Sequence, residues 1–349
     1  MQESLKTTLL DAGVNVETVS RVLDSGYFLR TWVDPFSGRS WTSVSDFMYG
    51  NKQFSSSFET EKFIAHLKGE FIFDPLPEFR RYTAKSVDDI KAILSEPHRV
   101  RMMEQGLLSF RGQTGEYKFK RTIPNPLRSD KEGNEISILP GGYRQSGCSY
   151  SFSKPYLEQR SFREILHLLE PNNPRILFDS SYAYDIMRVE QHYATQTAGL
   201  DLSFDIKTPL FFATHHFERR SDGLASYRRE SPGGHKGVIY CFRFRDPKVS
   251  ATQYLIEGFD LFKTYPPKRI LRQNCGLPLL GDCERNIAIT DLECIIDLHP
   301  DFSDDAPSDP KWMFPGISED AFYKRLIEIK DSKPELLPNL VEYEWARTT

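Results

Sequence analysis

The chain has 349 residues, 39% hydrophobic and 13% aromatic, with 45 Lys and Arg against 49 Asp and Glu and a formal net charge of −4. That apolar content suffices for a sizeable core and excludes global disorder, and the length suits one large domain or two modest ones. The near balance of charge gives no field that would favour nucleic acid or an anionic membrane.

The first 25 residues carry two helix patterns. Leu5, Leu9 and Leu10 share a face up to Gly13, and Val16, Val19, Val22 and Leu23 follow up to Gly26. Residues 27–82 then place an aromatic every few positions, from Phe28, Trp32, Phe36 and Trp41 through Phe47, Phe54, Phe58, Phe63, Phe71 and Phe73 to Phe79. Pro35 and Gly38 mark a turn, and Pro75 and Pro77 end the stretch. Residues 1–82 read as an accessory module whose aromatics are core or, less simply, a stacking or partner-binding surface.

A main domain is expected over 83–300. Ser86 caps a helix with Asp88 and Asp89 in its first turn and Val87, Ile90, Ile93 and Leu94 at helical spacing, and Pro97 is read as its stop. Leu107-Leu108-Ser109-Phe110-Arg111-Gly112 reads as a short apolar strand running into a glycine. Pro124, Pro126, Gly133 and Pro140-Gly141-Gly142 make 121–155 a long surface loop. Helices are predicted over 155–170, 180–193 and 209–217, and strands over 237–244 and 288–298. Residues 301–315 are polar and Pro-rich and read as a linker, and 318–330 form an amphipathic helix with Phe322, Leu326 and Ile329 on one stripe. Residues 301–349 are thus linker plus terminal helix. The mixture, with strands concentrated after residue 237, predicts an α+β fold of mixed or antiparallel sheets with flanking helices.

Five cysteines, Cys148, Cys241, Cys275, Cys283 and Cys294, form no C-x-x-C pair and are odd in number, which fits a reducing compartment. Cys275, Cys283 and Cys294 lack the tight spacing of a zinc knuckle, so no metal is expected. The first residues hold no apolar leader, and no run of about eighteen apolar residues occurs, so a cytoplasmic chain without a membrane span is expected. Phosphate-loop, Rossmann, H-E-x-x-H and G-x-S-x-G signatures are missing from the sequence. The paired arginines Arg219-Arg220 and Arg228-Arg229 flank a turn and read first as a solvated loop.

One constellation carries functional information. It runs from Phe110-Arg111-Gly112-Gln113 and Pro124-x-x-x-Arg128 through Gln191-His192-Tyr193, Leu200-Asp201-x-Ser203 and Phe212-Ala213 to Arg269-Ile270-x-x-Gln273-x-x-Gly276-Leu277. In order and spacing this resembles the FRG domain, over roughly residues 85–298. The chain departs from that pattern at Ala194, at Gln196-Thr197-Ala198, where the family's Pro-Thr-Arg is expected, and at Ile206.

The FRG layout is similar to the ADP-ribosyltransferase-like split sheet. The resemblance implies an NAD-consuming transferase or glycohydrolase, acting as a toxin or bacterial defence effector on a protein or nucleic-acid acceptor. It makes Arg111 the first element of the site, Ser203 the second and Gln273 the third. An Arg fork grips a diphosphate or orients a ribose. Gly112 would let backbone approach the ligand, Gln113 and His192 would border it, and Tyr193 or Phe212 would stack on nicotinamide. Breaking the N-glycosidic bond develops positive charge that a carboxylate stabilises. Gln273 has none, so Asp201, or Glu284, would supply it, or the domain binds a nucleotide without turning it over. Blander roles stand beside these. Arg111 can sit in a surface ion pair, His192 and Asp201 can act as caps, Phe211 and Phe212 as core, and Gln273 as a buried structural amide.

Overall fold

A computed structural model of the chain describes residues 2–34, 37–46, 58–73, 79–138, 162–178, 183–193, 200–231, 233–243, 264–276, 291–305 and 307–348. At its centre a six-stranded sheet runs, edge to edge, through Cys275–Gly276, Leu202–Ser203, Leu108–Gln113, Val238–Arg243, Leu292–Ser303 and Arg80–Ser86. Neighbours are antiparallel except the last pair, which is parallel. The chain is therefore α+β with a mixed sheet and flanking helices, as its patterning predicts. Strands are not concentrated after residue 237. Leu202–Ser203 is too short to leave a periodic signal, and Arg80–Ser86 is a polar edge strand, the kind that hides among loops in a sequence.

Val238–Arg243 is buried at every residue but the last, because it has a neighbour on both sides and a layer on each face. Against one face lie two short helices. Val87–Leu94 starts with a capping box in which Ser86 accepts the Asp89 N–H and Asp89 returns the bond. Pro97 does not merely stop it. Proline occupies the first turn of a second helix, Pro97–Glu104, where its missing N–H costs nothing. Ile90, Leu94 and Met102 from this pair bury against Phe110, Cys241 and Ile296.

The helix Lys207–Thr214 presses onto the same sheet at Gly112 and Gly237. A Cβ on Gly112 would stand 1.7 Å from the Pro209 carbonyl oxygen and 2.9 Å from the Ala213 nitrogen, and one on Gly237 would stand 2.1 Å from the Ala213 oxygen. Both positions have to be glycine for helix and strands to meet at this distance.

A second, aromatic core joins the middle of the chain to its end. The helix Ala321–Ser332, capped by Asp320, buries Phe322, Tyr323 and Leu326 against Ile186, Tyr193 and Phe211. Within 301–315, read from sequence as a linker, lie the end of a sheet strand, the helix Pro310–Met313 and the buried pair Met313 and Phe314. Trp345 closes this core by donating its indole N–H to the Phe314 carbonyl at 2.8 Å.

The N-terminal region has its own core. Helices Gln2–Asp11 and Val16–Asp24 pack on a three-stranded sheet of Tyr27–Val33, Ser40–Asp46 and Phe58–Glu59, with the helix Thr60–Leu67 beside it. Rings of Tyr27, Phe58 and Phe63 meet at 4.7–6.4 Å, so these aromatics are packing. Ile123 joins the same cluster, and its N–H donates to Ser25 Oγ at 3.1 Å. Phe36, Phe47, Phe54, Pro75, Pro77 and the Pro140-Gly141-Gly142 stretch lie outside the described residues. Among the described residues no helix is long and apolar enough to cross a membrane.

Candidate functional site

Beside the strand end that carries Phe110-Arg111-Gly112 opens a cleft of about 110 Å³. Arg111, Asp201, Ser203, Phe212, Gln273 and Cys275 line it, with Thr208 and Pro209 from the neighbouring helix. Strand pairing brings the distant segments together: Phe110 sits opposite Ser203, and Ser203 opposite Cys275. The helix Lys268–Arg272 ends just before this, where Asn274 takes the left-handed conformation at φ 43°. Asparagine is among the few non-glycine residues that tolerate it. The reversal turns the Gln273 carbonyl to Ser203 Oγ at 2.8 Å and Thr208 Oγ1 at 3.1 Å, both of which donate to it.

Of the residues expected at the site, Arg111, Asp201, Ser203, Gln273, Gly112 and Phe212 border this one cleft. Arg111 Nη1 donates to the Asp201 carbonyl at 2.8 Å, which fixes the guanidinium at the cleft edge. The Asp201 side chain is 30% exposed and is the one carboxylate among the lining residues. Its Oδ2 accepts from Gln191 Nε2 at 3.2 Å, and its Oδ1 faces the Cys275 thiol at 3.6 Å. Asp201 does not cap the helix that follows. Asp205, one residue before the N-cap Ile206, accepts the Thr208 N–H at 2.9 Å, and burial pushes its carboxyl up while its hydrogen bonds oppose the shift.

Ser203 and Gln273 are wall as much as site. The Ser203 hydroxyl is committed to the Gln273 carbonyl, and Gln273 Nε2 donates to the Met313 carbonyl at 3.2 Å. The structural reading of Gln273 therefore holds for its side-chain amide nitrogen. Phe212 is both, half-buried at the cleft and set edge-on to Phe211 and Phe314 at 5.4 and 6.1 Å.

Four expectations change. Gly112 serves the approach of the helix Lys207–Thr214, whose Pro209 fills the space a ligand's backbone contact would need. Gln113 is buried outside the cleft, with Nε2 donating to the Ser137 carbonyl at 3.4 Å. Tyr193 is fully buried in the aromatic core, donates to Asp320 Oδ2 at 2.6 Å and accepts the Arg269 N–H at 3.1 Å, so it cannot stack on a ligand in the cleft. His192 is buried behind the wall, its Nδ1 paired with the Arg188 carbonyl at 2.7 Å. Burial pulls its pKa down against the pull of Asp201, so it is a neutral ring. Arg128 lies elsewhere, buried 3.8 Å from Glu135. Ala194, Gln196-Thr197-Ala198, Leu277, Glu284, Cys148 and Cys283 fall outside the described residues.

Sequence reasoning missed Thr208 and Arg188, and it quoted Arg269 and Cys275 without giving them a place at the site; both arginines lie buried behind the cleft. Arg188 Nη2 holds the Cys275 carbonyl at 2.7 Å. Arg269 lies with its guanidinium 3.9, 4.5 and 5.2 Å from the ring centres of Tyr323, Tyr193 and Tyr343, and its Nη1 donates to the His192 carbonyl at 3.1 Å. The tyrosines flanking Arg269 were scattered over some 150 residues of sequence, which is why no local signal marked them.

One donor set suits a metal. The ligand atoms of His192, Asp201 and Cys275 lie within 4.8 Å of one another, a combination zinc accepts. His192 Nδ1 already meets the Arg188 carbonyl, burial and the Asp201 charge push the Cys275 thiol up, and the Arg188 guanidinium brings positive charge alongside. The hydrogen-bond donors to the Asp201 carboxylate are Gln191 and Cys275, and His192 Nδ1 stands 3.9 Å from it. Comparison with protein-family models, with curated proteins and with solved structures finds no match.

Proposed function

We propose that the chain is an FRG-domain protein with an ADP-ribosyltransferase-like sheet, and that its cleft takes a nucleotide of the NAD type. What carries the reading is the convergence of Arg111, Asp201, Ser203 and Phe212 on one cleft from segments far apart in sequence. The Arg111 fork suits a phosphate or a ribose hydroxyl. The Phe212 face suits a nicotinamide ring. Asp201, not Gln273, is the group that would meet positive charge growing at the ribose carbon as nicotinamide leaves. Its support by Gln191 and Cys275 fixes the carboxylate without neutralising it.

The experiment is incubation of the full chain with labelled NAD, alone and in cell extract. Wild type is expected to release nicotinamide or to label a protein or nucleic acid, with Arg111→Ala and Asp201→Asn at least about tenfold slower. Wild type that neither turns over nor is stabilised by NAD in a thermal-shift assay ends the proposal. A second reading, binding without turnover, is favoured by the commitment of the Ser203 hydroxyl and the Gln273 amide to wall contacts. Stabilisation by NAD with no nicotinamide released selects it.

A further inference from the structure

We propose that Cys241 and Cys294 form a reversible redox site, joined into a disulfide by a small peroxide. The two cysteines are register partners on adjacent antiparallel strands, Val238–Arg243 and Leu292–Ser303, in the middle of the sheet. Residues directly opposite in such a pair have Cα atoms about 4.5–5.5 Å apart. That lies inside the roughly 4.4–6.8 Å window a disulfide spans. The pairing meets the Cα distance condition for a disulfide, and the register shift just after Cys241 gives the strand room to adjust. Both thiols are free and fully buried.

A second feature bears on the reactivity of both thiols. The Arg99 guanidinium is fully buried in the same layer, donating to the Ile93 carbonyl and to Tyr82 Oη, both at 2.9 Å. The Arg99 charge draws both thiols toward the thiolate. Either cysteine can attack first; with Cys294 as the nucleophile, Cys241 resolves.

The Cys294 thiolate attacks one peroxide oxygen. The O–O bond breaks, and the departing hydroxide takes a proton to become water, leaving sulfenic acid on Cys294. Cys241 attacks that sulfur, the S–O bond breaks, and the thiol proton leaves with a second water. Two thiols are oxidised and one peroxide is reduced to two waters. Burial admits a peroxide more readily than a bulky disulfide such as oxidised glutathione. The chain between the two cysteines includes Gln273 and Cys275, so the bond would tether the segment that forms one wall of the cleft.

The test treats the full native chain with hydrogen peroxide, alkylates it in denaturant and maps its unreduced peptides by mass. The expected result is a Cys241–Cys294 cross-link two hydrogens lighter than the separate peptides, with two of the five thiols lost and recovered on reduction. In Cys241→Ala, a sulfenic-acid trap is expected on Cys294. The proposal is overturned if both cysteines are still alkylated while other thiols react, if Cys148, Cys275 or Cys283 is the partner found, or if only sulfinic and sulfonic acids form. The wild-type map decides the matter even if the variant does not fold, and it is independent of any nucleotide in the cleft.

Discussion

Two supports hold the cleft, and they differ in how much they forgive. On the sheet side the helix Lys207–Thr214 meets the strands backbone to backbone at Gly112 and Gly237. On the C-terminal side Arg269 rests among the rings of Tyr193, Tyr323, Tyr343 and Phe314, with side chains on every side. Backbone contact leaves nothing to rearrange, because no rotamer relieves an overlap with a carbonyl. A ring cage can repack, and its loss is graded. The same cleft is thus braced on one side by the absence of a side chain and, from behind, by an abundance of them.

Gly112→Ala breaks the comparison most severely. The added methyl overlaps the Pro209 carbonyl, so a loss of more than about 4 kcal/mol is expected, in the range where a chain fails to accumulate folded. Denaturant unfolding or soluble yield reads it, and a well-folded variant would show that helix and strand are not in this contact. Arg269→Leu tests the other wall. It empties the cage and removes the bond to the His192 carbonyl, at about 3 kcal/mol. Loss of the same size in Arg269→Lys would mean that ring stacking and the His192 carbonyl matter more than charge.

Ser203→Ala removes one of the two hydroxyls on the Gln273 carbonyl and is expected to cost about 1 kcal/mol in urea unfolding. A much larger loss would mean that Thr208 does not share the acceptor. The smallest effect concerns His215, stacked on Phe211 at 4.2 Å at the end of the same helix. Burial holds its pKa below the ordinary value, with the Phe211 carbonyl opposing. A histidine depressed in the folded state contributes stability that is complete above about pH 6.5 and is lost as pH falls through the folded value. The stability gap between wild type and His215→Gln should therefore narrow between pH 7.5 and pH 5. A gap that widens reverses the sign and with it the neutral, buried assignment.

Elements governed by local rules were legible in the sequence. Ser86 announced its N-cap, and the apolar run at 237–244 announced a strand, found at Val238–Arg243. The membership of the site was partly legible too, since Arg111, Asp201, Ser203 and Gln273 do share a cleft. What could not be read was which atoms face it. Gly112 looks the same in sequence whether a ligand or Pro209 presses on it. Tyr193 follows His192 like a site residue, yet its neighbours come from the last thirty residues or so of the chain, Phe322 and Tyr323 at 5.1 and 6.0 Å. Long-range packing decides both cases, and no local pattern encodes it.

The strands Leu202–Ser203 and Cys275–Gly276 are only two residues long and draw their partners from far along the chain. Pairings of that kind cost chain entropy before they return contacts, so they close after the neighbouring helices and hairpins have formed. The cleft edge is then held by few backbone bonds and opens before the long central strands. A nucleotide held there would leave the speed of folding unchanged and lengthen the lifetime of the folded chain.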